Sequence, residues 1–155
     1  MNRPEILAPV GDFAMLSSAI NAGCDAIYFG AKILNMRANA KNFEINQIKN
    51  VVDICHENKV KAYLTVNTII YENELKILEE LLKKAKEANV DAIIAWDLAV
   101  IQKAKELGLE IHLSTQASVS NSEALKGYQK NFGIQRVVLA RECSLRFQVL
   151  YEMFL

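Results

Sequence analysis

The sequence predicts an α/β fold of the TIM type: an incomplete (β/α) barrel with about six parallel strands and outer helices. Three observations predict it. First, short β-rich runs alternate with helical periodicities from end to end, the pattern of a parallel sheet flanked by helices. Second, "NAGCDAIYFG" and "EANVDAIIAWD" repeat one phrase, helix end, turn, Asp-Ala-Ile, strand, and "NFGIQRVVLA" is a looser third copy. Third, no GxGxxG follows the first strand and no Walker A sequence occurs, so repeated βα units fit a barrel better than a dinucleotide-binding sheet. A closed barrel needs eight strands and roughly 250 residues. The 155 residues therefore read as the N-terminal part of a larger barrel.

The strands are expected at "EILAPV" (5–10), "DAIYFG" (25–30), "KAYLTVN" (61–67), "DAIIAWD" (91–97), "EIHLST" (110–115) and "QRVVLAR" (135–141). Each is rich in β-branched or aromatic residues and bounded by polar ones. The first helix, residues 12–22, aligns Phe13, Leu16, Ala19 and Ile20 on one stripe. The second, 44–58, repeats Ile45, Ile48, Val51, Val52 and Cys55. The third, 73–88, sets Leu75, Leu78, Leu81, Leu82 and Ala85 against a Glu/Lys face. Shorter helices follow over 98–107 and 121–131. The pattern holds to about residue 145. After it, "SLRFQVLYEMFL" leaves little polar face for a surface helix, so residues 146–155 read as an aberrant or truncated tail.

Hydrophobic residues make up 52% and charged residues 23%, the balance of a globular chain. Eighteen basic and eighteen acidic side chains cancel, so bulk charge does not advertise a nucleic-acid or membrane partner, although a local basic patch is compatible with it. No apolar run approaches the roughly 18–20 residues of a membrane span. The N-terminus lacks the apolar core and cleavage site of a signal peptide. Both point to the cytoplasm. Cys24, Cys55 and Cys143 are dispersed and include no CxxC. They read as free thiols, with no metal site and no cofactor in this chain.

Following alternate residues along each strand places the candidate site. The series are Tyr63, Thr65, Asn67; then Ile93, Ala95, Asp97; then His112, Ser114, Gln116; then Val137, Leu139, Arg141. Each ends in a polar residue at a strand's C-terminal tip, the functional face of a barrel. By the same parity Trp96 points away from the interior and packs. The stretch "STQAS" then reads as the rim of a site for a polar ligand. Its rival role is helix capping, which Ser120 or Asn121 can supply, with Glu123 completing a capping box after Ser120. Arg37 and Lys41, in the loop "NMRANAKNF", suit an anionic group such as carboxylate or phosphate; ordinary solvated charge serves as well. Asp12 is expected to cap the first helix, His112 to be a satisfied core histidine and His56 to lie at the surface. No Ser-His-Asp, HExxH or paired-carboxylate pattern can be read from the spacing.

The blocks "PEILAPVGDF", "GCDAIYFG", "NMRANAKNF", "AYLTVNT", "IIAWD", "IHLSTQASVSN" and "RVVLAREC" resemble, in order and spacing, the U32 peptidase family, also called collagenase-like proteases. The resemblance covers residues 3 to about 145. It implies an N-terminal barrel domain, often followed by others. It also implies one of two chemistries: the nominal peptidase activity, or oxygen-independent hydroxylation of tRNA, ribosomal RNA or a quinone precursor. Hydroxylating members hold an iron–sulfur cluster through cysteines, with prephenate as the oxygen source. The family's cysteine-rich signature falls beyond the sixth strand, so an iron–sulfur cluster is expected only in full-length relatives. The implied partners are RNA or a polar or anionic small molecule. The alternative is an inactive truncated fragment whose open barrel self-associates.

Overall fold

The computed structural model describes residues 3–36, 41–134 and 136–144. Among these, six strands form one parallel sheet: β1 (Leu7–Val10), β2 (Ala26–Gly30), β3 (Lys61–Thr65), β4 (Ala92–Ala95), β5 (Ile111–Leu113) and β6 (Arg136–Val137). They lie in sequential order, as the βα repeat requires. Five α-helices connect them: α1 (Phe13–Asn21), α2 (Ile48–Glu57), α3 (Leu75–Glu87), α4 (Leu98–Glu106) and α5 (Ser122–Phe132). The strands are shorter than the expected runs: β1 and β2 start later, β4 and β5 are trimmed at both ends, and β3 and β6 give their last residues to loops. The tail expected at 146–155 lies outside the described residues.

The sheet has two unlike faces. Partners in register share a face. One face carries Val10, Ile27, Phe29, Ala62, Leu64, Ile93, Ala95, Ile111 and Leu113, and packs on Leu16, Val51, Val52, Cys55, Leu78, Leu81, Leu82, Val100 and Ile101 of the helices. This is the main core, between sheet and helices. The other face lines the barrel lumen with Ala26, Tyr28, Tyr63, Ala92, Ile94, His112 and Arg136. The Tyr63 and His112 rings meet edge to face there, 4.6 Å apart.

The repeated Asp-Ala-Ile has a structural cause. Asp25 and Asp91 each stand one residue before a strand, and each accepts a hydrogen bond from the backbone of the preceding strand segment. Ile6 N donates to Asp25 Oδ2 at 2.7 Å, and Ala62 N donates to Asp91 Oδ2 at 2.7 Å. Each carboxylate satisfies a backbone donor near the start of the neighbouring strand and helps to fix the register of the two. The turn before each copy is also shared. Gly23, Lys59, Asn89, Gly108 and Gly133 follow the five helices in the left-handed conformation. After the first four of these, the next N–H returns to a carbonyl five residues back, as Val60 N does to Cys55 O and Val90 N to Ala85 O.

Expectation and structure part over parity on two strands. The anticipated series Ile93, Ala95 and Val137 faces the helices, and the lumen residues of β4 and β6 are Ala92, Ile94 and Arg136. A shift of one residue exchanges the faces. Both faces of β4 are apolar, so alternation could not show which side each residue takes.

Candidate functional site at the mouth of the barrel

Asn67, Asp97, Gln116 and Arg141 all follow the C-terminal ends of their strands, so they lie at one end of the barrel. The structure separates their roles. Asp97 is the N-cap of α4: its Oδ1 accepts from Ala99 N at 2.8 Å, and its Oδ2 accepts from Ile70 N at 3.1 Å. Both oxygens are engaged, so this carboxylate holds the loop after β3 onto α4. Arg141 is exposed in the turn after β6, and its guanidinium makes no bond to the described residues. Lys41 is almost fully solvated, with Nζ 3.8 Å from Asp12 Oδ2. Arg37 lies outside the described residues.

Asn67 and Gln116 do come together, through the loop after β2. Met36 N donates to Asn67 Oδ1 at 3.1 Å, and Gln116 Nε2 donates to Met36 Sδ. A loop leaving the second strand therefore crosses the mouth to the third and the fifth. Sequence reasoning missed Met36, because a methionine in a polar loop carries no chemical signature. Asn35, beside it, is buried. A Cβ at Gly30 would come within 2.7–2.9 Å of the atoms of the Asn35 amide. Gly30 thus leaves the room that this amide occupies at the lumen end of β2. Leu34 and Ser118 are left-handed, with φ of 54° and 52°. Both belong to the two loops that meet at Met36 and Gln116, and non-glycine residues hold that conformation only when their surroundings impose it.

The hydroxyls of "STQAS" are mostly spent on the chain itself. Ser114 is buried and caps the short 3-10 turn Thr115–Ala117, accepting from Gln116 N at 3.4 Å and donating to Gln116 Oε1 at 3.3 Å. Thr115 Oγ1 donates to Leu139 O at 3.2 Å, tying the loop after β5 to the one after β6. Asn121 is the N-cap of α5, accepting from Ala124 N at 2.9 Å. The expected capping box on Ser120 does not form: Ser120 is not the cap, and Glu123 pairs with Lys126 at 2.9 Å. Asp12 caps α1 as expected, accepting from Met15 N at 2.8 Å. Trp96 is corrected: it continues the parity of Ile94, and its indole N–H donates to Asn67 O at 2.8 Å. It braces the residue that holds Met36.

Both histidines are paired with carboxylates away from this mouth. His56 Nε2 on α2 lies 2.9 Å from Asp91 Oδ2. His112 is buried in the lumen, with Nε2 2.9 Å from Glu110 Oε1. Burial lowers the pKa of His112, against the opposing pull of Glu110, so the imidazole is held toward its neutral form. Cys24 and Cys55 lie in the core between sheet and helices, and burial pushes the Cys55 thiol up to about 12. Cys143 donates to Val119 O at 3.8 Å. This donor set does not fit an iron–sulfur cluster: two thiols are enclosed in apolar core and the third is bonded elsewhere. Among the described residues, no three His, Cys, Asp or Glu side chains group to hold a metal ion, and no helix is long and apolar enough to cross a membrane.

The fold resembles a solved U32 peptidase, with a TM-score of 0.69 at 14% identity over 90% of this chain and 59% of that one. In sequence, the chain is 44% identical over 146 residues to a protein named collagenase from Porphyromonas gingivalis, covering 94% of this chain and 35% of the relative. It is 38% identical over 144 residues to tRNA hydroxylation protein P1 of Bacillus subtilis, covering 92% and 34%. The chain thus spans about a third of the length of the curated relatives it matches. The model of peptidase family U32 matches residues 11–147. With that match across most of its length, this chain belongs to peptidase family U32.

Proposed function

We propose that this chain is the substrate-facing barrel portion of an RNA-hydroxylating U32 enzyme. The observation that carries this reading is the pair of neutral amides, Asn67 and Gln116, that follow the ends of β3 and β5 on either side of the loop held by Met36 N on Asn67 Oδ1. Neutral amides discriminate the edge of a nucleobase by paired donors and acceptors. A peptidase that works through a side-chain nucleophile would need that group seated against a base. The two histidines are instead committed to Asp91 and Glu110. The likeness to a protein named for tRNA hydroxylation supports the same class of substrate. Any cluster that serves the reaction takes its ligands from outside this chain, since the three cysteines here do not fit one.

The test is a nucleoside census. Deleting the gene in its source organism should remove a hydroxylated pyrimidine from digested RNA, as read by mass spectrometry, and the wild-type gene should restore it. An unchanged set of hydroxynucleosides, with loss of a proteolytic product instead, would return the family's peptidase name to this chain.

A second reading concerns the 155 residues expressed alone. Among the described residues β1 and β6 each have one unpaired edge. Ile6, Leu7 and Val138 beside those edges are exposed. Free parallel edges with apolar flanks favour self-association. Sedimentation of the isolated chain should therefore show concentration-dependent oligomers; a monomer at all concentrations contradicts it.

A further inference from the structure

The end of the lumen opposite the mouth is closed by charge. Arg136 on β6 reaches across to Glu5, which precedes β1, with Nη1 donating to Glu5 Oε1 at 2.7 Å. These residues are 131 positions apart and stand at the two ends of a six-stranded arc. Tyr63, on β3 between them, joins both. Its hydroxyl donates to the Glu5 carboxylate at 3.1 and 3.2 Å and accepts from Arg136 Nη1 at 3.2 Å. The Arg136 guanidinium also sits 5.6 Å from the centre of the Tyr63 ring. Lys61 Nζ lies 3.8 Å from the other Glu5 oxygen.

An open parallel sheet has no reason to keep this curvature. Twist alone gives a propeller-like sheet rather than a closing one, and the β1 and β6 edges share no backbone hydrogen bond. Each group in the network has its partner on another strand or strand end, and none is bonded within its own element. The ring contact of Tyr63 with His112 on β5 adds a fourth member of the same layer. Burial of the phenol pushes its pKa up to about 12, so it stays a donor to Glu5 through the ordinary pH range. Burial of Glu5 is outweighed by its Arg136 and Tyr63 hydrogen bonds, which hold its carboxyl below the usual value.

We propose that Glu5, Tyr63 and Arg136 form a clamp that holds the six-stranded arc at barrel curvature, keeping the two free edges at a fixed separation. The clamp is a conformational device, distinct from the mouth at the other end of the strands. Its geometric effect exceeds its contribution to stability, because Arg136 and Glu5 are partly solvated and such pairs are weak and salt-sensitive.

The experiment is a distance measurement on the full 155-residue chain. Nitroxide labels are placed on Ser17→Cys in α1 and Lys130→Cys in α5, in a Cys143→Ser background; Cys24 and Cys55 are buried and left in place. Double electron–electron resonance on labelled chain diluted into an excess of unlabelled chain, so that only pairs within one chain are read, then gives the separation of α1 and α5. Glu5→Gln and Arg136→Gln should each lengthen and broaden the distribution by several ångströms. The double variant should lengthen it no further, since removing the second partner of a broken pair adds nothing. Unchanged distances in folded single variants, or a double variant equal to the sum of the singles, would overturn the clamp. If the single variants do not fold, the unsubstituted labelled chain is compared at low salt and at 1 M NaCl. Lengthening at high salt supports the clamp, and an unchanged distance overturns it.

Discussion

Gln116 and Leu113 stand three residues apart on one segment, yet their side chains do different work. Leu113 is fully buried between sheet and helices, whereas Gln116 is partly solvated and reaches Met36 across the mouth. Leu113→Ala should therefore cost about 2–5 kcal/mol by leaving a cavity, read as a fall in melting temperature. Gln116→Ala should leave the melting temperature nearly unchanged and, on the proposed reading, lower RNA hydroxylation in cells that depend on the gene. Equal destabilisation by the two would make Gln116 structural. A second residue-scale effect concerns backbone strain. Lys59 is exposed and left-handed at φ 59°, where three of the four other turns use Gly23, Gly108 and Gly133 and the fourth uses Asn89. Lys59→Gly should raise stability by up to about 1 kcal/mol, because glycine meets no steric penalty there and this gain exceeds its added chain entropy. Chemical denaturation checks it, and a lower midpoint would contradict it.

At the scale of elements, the loops at the mouth depend on caps. Asp97 satisfies a free N–H at the start of α4 and also holds Ile70 in the loop after β3. Asp97→Ala should lose about 1 kcal/mol for the cap alone. It should also release the loop, so amide exchange at Ile70 should accelerate along with that at Ala99. Asp97→Asn should recover most of the stability, since an asparagine oxygen caps nearly as well. If Asp97→Asn remained as unstable as Asp97→Ala, negative charge rather than capping would be the function of this residue. The strands show the limits of pattern at this scale. On β3 and β5 the lumen face was legible, because Tyr63, Thr65 and His112 alternate with Ala62, Leu64, Ile111 and Leu113. On β4 both faces are apolar, and the assignment slipped by one residue.

For the whole molecule, the lumen sets the response to pH. His112 faces Tyr63 and Arg136 in the lumen, with Glu110 beside its ring and Glu5 contributing a weaker field. Its folded pKa lies below the ordinary 6.5, so the unfolded chain binds a proton more readily. Stability from this residue is present above pH 6.5 and is lost as pH falls from there through the folded value. Glu5 acts in the same direction lower down: its carboxyl is held below 4.5, so its contribution is lost as pH falls from about 4.5 through the folded value. Denaturation at a series of pH values should show a first decline starting near 6.5 and a second below 4.5. His112→Gln should flatten the first and leave the second. A first decline that survives this substitution would place its origin elsewhere.

The order of strands and helices, the parallel sheet, the family and the end of the barrel that carries the polar tips can all be read from the amino-acid sequence. These rest on local signals: helical stripes such as Leu78, Leu81, Leu82 and Ala85, and the Asp-Ala-Ile phrase whose carboxylates pin neighbouring strands. Which polar residues meet is visible only in the folded chain. Asp97 looks like a site residue in the sequence and is a cap. Met36 looks like an ordinary loop residue and joins Asn67 to Gln116. Glu5 and Arg136, 131 residues apart, carry no mark that they close one end of the lumen. The physical reason is that periodicity reports the burial of one element against an average neighbour. Hydrogen bonds across a lumen or a mouth depend on the curvature of the whole sheet and on the path of each loop, and these are set by contacts between residues far apart in the chain.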